Sequence, residues 1–146
     1  MQRRSLIGYA TGSLLISLLP LSLSAAARQT LKSVYGNAEF NTDRVTLKLP
    51  ALAENGSSVP LTVSVDSPMT HVDHVSEIRV FAEKNPVPEI ARYRLFAASG
   101  KASISTRIRL SDTQVITAVA RMNDNSLWVA RGKIVVTLAA CIEPLL

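Results

Sequence analysis

Thiols and imidazoles are scarce in this sequence, which holds one cysteine, Cys141, and two histidines, His71 and His74, in 146 residues. A single thiol excludes an internal disulfide framework, a C-x-x-C-H haem attachment and a multi-cysteine zinc site. Two histidines leave a protein-only catalytic zinc short of ligands. Glycine-rich phosphate loops are missing, no serine stands in a nucleophile elbow, and no internal repeat or low-complexity tract interrupts the chain. After Val45 no segment carries the period of an amphipathic helix. What remains is a domain held by its hydrophobic core, which a chain of this length can build.

The first residues read differently from the rest. Arg3-Arg4 is followed by no charged residue until Arg28, and the apolar run Leu14 to Leu23 leads into Ala25-Ala26-Ala27. A positive start, an apolar run and small residues at the end predict a secretory signal peptide over 1–27, with the mature chain beginning near Arg28. The alternative is a retained membrane anchor, since the uncharged stretch is long enough to span a bilayer. Pro20, the serines and the alanine triplet shorten its apolar core and favour cleavage. Arg3-Arg4-Ser5-Leu6-Ile7 also resembles the twin-arginine export signature.

Loss of Arg3 and Arg4 with the leader lowers the formal charge of +5 by two. So mild and evenly spread an excess suits small anions or an acidic partner and excludes a nucleic-acid reader.

From Val45 onward the period is two. Val45 to Leu49 alternates and stops at Pro50; Ala53 to Ser58 reads as a turn cluster. Leu61, Val63 and Val65 share one face of the next strand, Leu61 to Asp66. Strands follow over Val75 to Glu83 and Ile90 to Ala98, separated by an Asn-Pro-Val-Pro stretch that forbids a central strand. Ala102 to Leu110 is the cleanest alternation. A strand through Met122 then meets the hairpin turn Asn123-Asp124-Asn125-Ser126, and the last runs from Leu127 to Leu138 with a bend or bulge expected at Gly132. Gln29 to Thr42 reads as a short helix or an arm. About seven strands with frequent turns predict an all-β fold, an immunoglobulin-like antiparallel β-sandwich over 28–138. Residues 139–146 form a C-terminal arm carrying Cys141.

Three constellations bear on function. His71, Asp73 and His74 lie close in one loop, but on extended backbone His74 points away from the other two, and solvated loop residues are the expected reading. Arg92 and Arg94 on one strand and Arg107 and Arg109 on another form a basic patch if those strands are neighbours, and an ordinary solvated face if not. Cys141 has no base in sequence reach to make it a hydrolytic nucleophile. A buried filler, an incidental thiol and a dimer-forming one compete with a thiol presented on a tether. The apolar alternation of Ile134, Val136 and Leu138 gives way to Ala139-Ala140 just before it. Three extended residues beyond Leu138 reach about 10 Å, a suitable tether length.

The stretches Glu54 to Thr70, Val75 to Leu95 and Ser99 to Ala130, including the run Phe81-Ala82-Glu83-Lys84-Asn85-Pro86, together with the lone cysteine near the end, resemble the SoxY family. These are the sulfur-carrying subunits of bacterial thiosulfate-oxidising systems. The resemblance implies a periplasmic, immunoglobulin-like protein paired with a SoxZ-like subunit. It also implies covalent attachment of sulfur intermediates to Cys141, with no catalysis and no cofactor of its own. Sox haem enzymes, a dimanganese hydrolase and a sulfane dehydrogenase would be its transient partners. The family arm usually reads Gly-Gly-Cys-Gly-Gly. Here Ala139 and Ala140 precede the thiol and Ile142-Glu143-Pro144-Leu145-Leu146 follow it. Alanine lacks the positive-φ states open to glycine, Pro144 restricts Glu143, and the Glu143 charge disfavours both a thiolate and anionic cargo. The alternative is a SoxY-like paralogue serving as a non-catalytic periplasmic interaction module, whose cysteine carries no sulfur.

Overall fold

The computed structural model describes residues 25–138, with side chains from Arg28 onward. The expected leader, but for its last three residues, and the arm with Cys141 lie outside the described residues. Helix α1 (Ala25–Tyr35) precedes eight strands: β1 (Val45–Lys48), β2 (Leu52–Asn55), β3 (Val59–Val65), β4 (Val75–Ala82), β5 (Glu89–Arg94), β6 (Ser103–Ile108), β7 (Gln114–Met122) and β8 (Leu127–Leu138). They form two sheets, one ordered β1-β3-β6 and the other β2-β8-β7-β4-β5. The architecture is the expected all-β immunoglobulin-like sandwich, with one helix and one strand more than the period-two pattern gave.

The alternating residues fill the space between the sheets. Val59, Leu61, Val63 and Val65 of β3 face Ile78 and Val80 of β4, Ile116, Ala118 and Ala120 of β7, and Ile134 and Val136 of β8 in one buried cluster. Ala102, Ile108 and Leu110, the inward set of the cleanest alternation, close that core from the β6 side. The outward set of β3 and β6 makes a hydroxyl ladder, Thr62 to Ser105 and Ser64 to Ser103, each at 3.0 Å.

The strand that the pattern missed is β2. Its residues Leu52 and Glu54 are exposed and Ala53 is half-buried, so no apolar alternation marks it. It exists because Pro50 stops β1 in the smaller sheet, lacking the N–H a further rung needs. The chain then crosses to the larger sheet and runs parallel to β8, with Leu52 opposite Val135 and Asn55 opposite Leu138. The turn expected from Ala53 is confined to Gly56, Ser57 and Ser58. Asn55 shapes it by accepting the Ser57 N–H at 2.8 Å. Strand β5 is shorter than expected: past Arg94 the chain leaves the sheet and makes a 3-10 turn, Ala97–Ser99.

No bulge forms at Gly132, which pairs in register with Ile116. The glycine instead permits a close approach. A β-carbon there would lie 3.1 Å from Leu49 Cδ1 and 3.4 Å from Leu47 Cδ2 of the opposite sheet. The register shifts occur in β4, at Val80/Phe81 against β5 and at Val75/Glu77 against β7.

The ambiguous segment 29–42 is helix and then arm. Gly36, at φ 65°, ends α1, its N–H donating to the Lys32 carbonyl at 2.8 Å. The arm then reaches β8, where Asn41 and Leu127 are joined backbone to backbone at 2.8 Å and the Val129 N–H returns to Asn41 at 2.9 Å. Leu31 of α1, with Val34, Tyr35 and Phe40, covers Phe81, Val119, Leu127 and Val129 on the outer face of the larger sheet. Tyr35 packs edge-on against Phe40 and Phe81, and the guanidinium groups of Arg79 and Arg121 lie 5.5 and 5.7 Å from its ring centre. Burial pushes its phenol up to about 12, although Arg79 and Arg121 pull the other way.

Two measurements check this lid. Leu31→Ala should cost about 2 kcal/mol in chemical denaturation, because a buried side chain is removed from a site that can partly collapse. Tyr35 holds its proton in the folded state at pH values where the unfolded chain has lost it. Its contribution is therefore complete below the ordinary tyrosine value of 10.0 and is lost as pH rises toward about 12. The stability difference between the parent and Tyr35→Phe should fall across that window and be flat below it.

Candidate functional site

The root of the arm can be built from the strands upward. β7 pairs with β8 only as far as Gln114 opposite Ile134. Beyond it the Thr113 hydroxyl takes over, accepting the Val136 N–H at 2.9 Å and donating to the Val136 carbonyl at 3.3 Å. On the other edge the Val135 N–H donates to the Ala51 carbonyl at 3.0 Å, Thr137 Oγ1 to the Glu54 carbonyl at 2.8 Å, and the Gly56 N–H to the Leu138 carbonyl at 2.8 Å. The strand is thus held on both sides through Val136 and on one side to Leu138. Cys141 stands three residues past that last anchor. Leu138 is 65% exposed, and Leu52 and Val135, opposite each other at the root, are 54% and 41% exposed.

The arginine pairs do not assemble as one hydrogen-bonded face, because β5 and β6 are edge strands of different sheets. Arg92 lies on the outer face of the larger sheet beside Arg79 and donates to Glu89 at 2.7 Å. That bond to Arg92 holds the Glu89 carboxyl below its ordinary value. Arg79 donates to Glu77 at 2.7 Å and lies 3.5 Å from Glu89, while Arg121 reaches Glu77 at 3.9 Å. Arg94 stands opposite Glu77 in the β4–β5 register. This face is a network of alternating charge under Tyr35, a structural arrangement rather than a basic surface.

Arg107 and Arg109 are different. Both are exposed, and neither has a carboxylate partner among the described residues; Arg107 reaches only the Ser58 hydroxyl, at 3.3 Å, and the Ser58 carbonyl, at 3.4 Å. They line a groove of about 610 Å³ between the free edges of β5 and β6, whose other walls include Val87, Ile90, Tyr93 and Ile108. No pattern along one strand could reveal a groove made by two sheets.

The histidine loop is structural. Asp73 accepts a forked pair of bonds from Arg44, at 2.9 and 3.4 Å, and the Arg44 guanidinium lies 5.2 Å from the centre of the Trp128 ring. His74 Nδ1 lies 3.0 Å from the Thr70 carbonyl and His71 is exposed. Asp73 is therefore a half-buried anchor rather than the solvated loop residue expected, which its sequence neighbours do not disclose. Among the described residues no group of three or more His, Cys, Asp or Glu could hold a metal ion, and no helix is long and apolar enough to cross a membrane.

The fold and site define a β-sandwich whose last strand is held by hydrogen bonds as far as Leu138, three residues before the cysteine in sequence. Comparison with known proteins gives that class a family. The model for "Sulfur oxidation protein SoxY" matches residues 31–141, most of the chain, and the chain belongs to the SoxY family. The sulfur carrier protein SoxY from Chlorobium limicola f thiosulfatophilum superposes with a TM-score of 0.64 at 23% identity, over 80% of this chain and all of that one. A superoxide reductase (neelaredoxin) from Ignicoccus hospitalis gives 0.59 at 17% identity, over 66% of this chain and 94% of its own. One from Nanoarchaeum equitans gives 0.55 at 13% identity, over 66% and 100%. At these identities the structures share a fold. No curated protein matches the chain.

The Thr113 clamp can be tested without reference to function. Thr113→Val keeps the shape and removes both bonds to Val136, a loss of about 1–2 kcal/mol. Amide exchange at Val136 should quicken by about tenfold, in keeping with about 1.4 kcal/mol, while exchange at Val119 in the sheet centre stays unchanged.

Proposed function

We propose that this protein is a periplasmic carrier of sulfur-oxidation intermediates, held covalently on Cys141 and presented to the enzymes of a Sox system. The observation that carries the reading is that the SoxY family match runs through residue 141, the position of the sole cysteine. The hydrogen bonds that hold β8 on both sides at Val136 and on one side to Leu138 support it, since a tether needs a firm root. The Arg3-Arg4 leader supports export, with residues 1–27 removed and 28–138 as the carrier domain. A SoxZ-like subunit is the proposed permanent partner.

The chemistry suits a thiol. Cys141 gives up its proton, its sulfur bonds to the outer sulfur of thiosulfate, and the two electrons released pass to a haem protein. Water then cleaves the sulfonate as sulfate on a dimanganese hydrolase, leaving a persulfide on the cysteine. A sulfane dehydrogenase oxidises that remaining sulfur. Sulfur–sulfur bonds form and break through thiolates at modest cost, and all the demanding steps belong to the visiting enzymes. The carrier contributes presentation and supplies no catalytic group or cofactor.

The departure of the arm from Gly-Gly-Cys-Gly-Gly favours a second reading. In it the chain is a SoxY-like paralogue that pairs with its partner as a non-catalytic module and carries no sulfur. Intact mass decides between them. After incubation with thiosulfate and a competent Sox extract, the carrier should gain one thiosulfate unit or one sulfane sulfur on Cys141, and Cys141→Ala should gain neither. An unmodified thiol throughout, with partner binding retained, would establish the module.

A further inference from the structure

We infer that the groove between the free edges of β5 and β6 is a dock for the chain's own residues 142–146, Ile-Glu-Pro-Leu-Leu, and that docking parks Cys141 against the domain. Three observations converge. The first is where the described chain stops. The Leu138 carbonyl accepts the Gly56 N–H, and the Gly56 carbonyl in turn accepts the Leu110 N–H, both at 2.8 Å. Leu110 follows Arg109 of the groove wall, so two hydrogen bonds separate the root of the arm from the mouth of the groove.

The second is length. Residues 139–141 reach about 10 Å when extended, enough to turn from the root to the mouth, and five further residues add about 16 Å, comparable to the six-residue walls of β5 and β6. The third is chemistry. The groove offers Val87, 69% exposed, with Ile90, Tyr93 and Ile108 as apolar surface, and two arginines without carboxylate partners among the described residues. The segment offers Ile142, Leu145 and Leu146 around one acid, Glu143. Glu89, the one acid of the groove, is already engaged by Arg92 and Arg79 and does not compete for Arg107 and Arg109. Pro144 lacks an N–H and suits an extended segment that runs along edge strands without extending the sheet in full.

The arm then has two positions. Docked, Glu143 is paired with the arginines and the thiol stays at the groove mouth; released, the thiol is free of the domain. The dock stands on the residues of this chain alone and does not depend on any sulfur cargo.

The single cysteine makes the test direct. A nitroxide attached to Cys141 of the isotopically labelled chain should extinguish the amide signals of Val87, Ala91, Ile108 and Arg109. Reduction of the nitroxide should restore them. Arg107→Glu combined with Arg109→Glu should restore the signals without reduction, as should Glu143→Arg in the otherwise unaltered protein. Deletion of residues 142–146, without any spin label, should shift the same groove amides. Signal loss confined to Gly56, Leu138 and their neighbours would overturn the dock. So would groove broadening that appears on an unlabelled chain mixed with a nitroxide-bearing one, since the arm would then seat on a second copy. Neither result touches the carrier reading, which the mass of the Cys141 adduct decides separately.

Discussion

The structure depends on β8 being held along one edge by β7 and at both ends of the other. It is the only strand that packs into the core between the sheets, supports the helix-covered outer face and leads to the cysteine. Its inward residues Ile134 and Val136 belong to the inter-sheet core, and its outward residues Leu127 and Val129 lie under α1. A strand with these duties cannot also be a free edge, because its unpaired N–H and C=O groups would be open to other chains. β7 covers one side. On the other, Asn41 covers the beginning and β2 the end, two short segments recruited from different parts of the chain. Between these two segments the chain makes β1 of the smaller sheet and crosses back at Pro50.

This explains which parts of the fold were legible. Strands with one buried and one solvated face declare themselves by period two, and β3, β6 and β7 stand where the alternation of Leu61, Val63 and Val65, of Ile104 and Ile108, and of the run to Met122 puts them. β2 stays silent because it contributes backbone rather than side chains: its stabilising partner is a row of β8 amides and carbonyls. α1 is half-silent for a related reason, since Leu31 is the one deeply buried residue among its described side chains and a single anchor makes no period. Gly132 suggested a bend or bulge, and the strand instead runs in register past a close approach of Leu47 and Leu49. The sequence marks a missing β-carbon but not whether the backbone turns or a neighbour approaches.

The site was legible to a similar depth. That Cys141 is alone, near the end of a strand and followed by a different kind of segment can be read directly. The root's clamps, Thr113, Gly56 and Thr137, carry no pattern, because each acts through one or two hydrogen bonds to residues distant in sequence. The two arginine pairs, a basic patch only if their strands were neighbours, stay apart for a topological reason. Arg92 and Arg94 look like Arg107 and Arg109 in spacing, yet the β4–β5 register gives the first pair Glu77 and Glu89 as company, while the second pair faces a groove. Spacing along a strand fixes which residues share a face; it does not fix what lies across from them.

Under the carrier reading, the length of the tether sets a condition on the visitors. With the root fixed at Leu138, three residues place the thiol no more than about 10 Å from the sandwich. An active site that receives it must bring its rim close to this end of the domain, where Leu52, Val135 and Leu138 expose apolar surface. A longer or looser arm would relax that condition and dilute the thiol over a larger volume; a short one concentrates it near its root. Ala139 and Ala140 have fewer backbone states to lose than two glycines would. They therefore shift the balance toward a defined approach and away from wide sampling. Under that reading the firm root and the two alanines would act in the same direction, exchanging reach for precision in favour of partners that dock on the end of the sandwich before they take the sulfur.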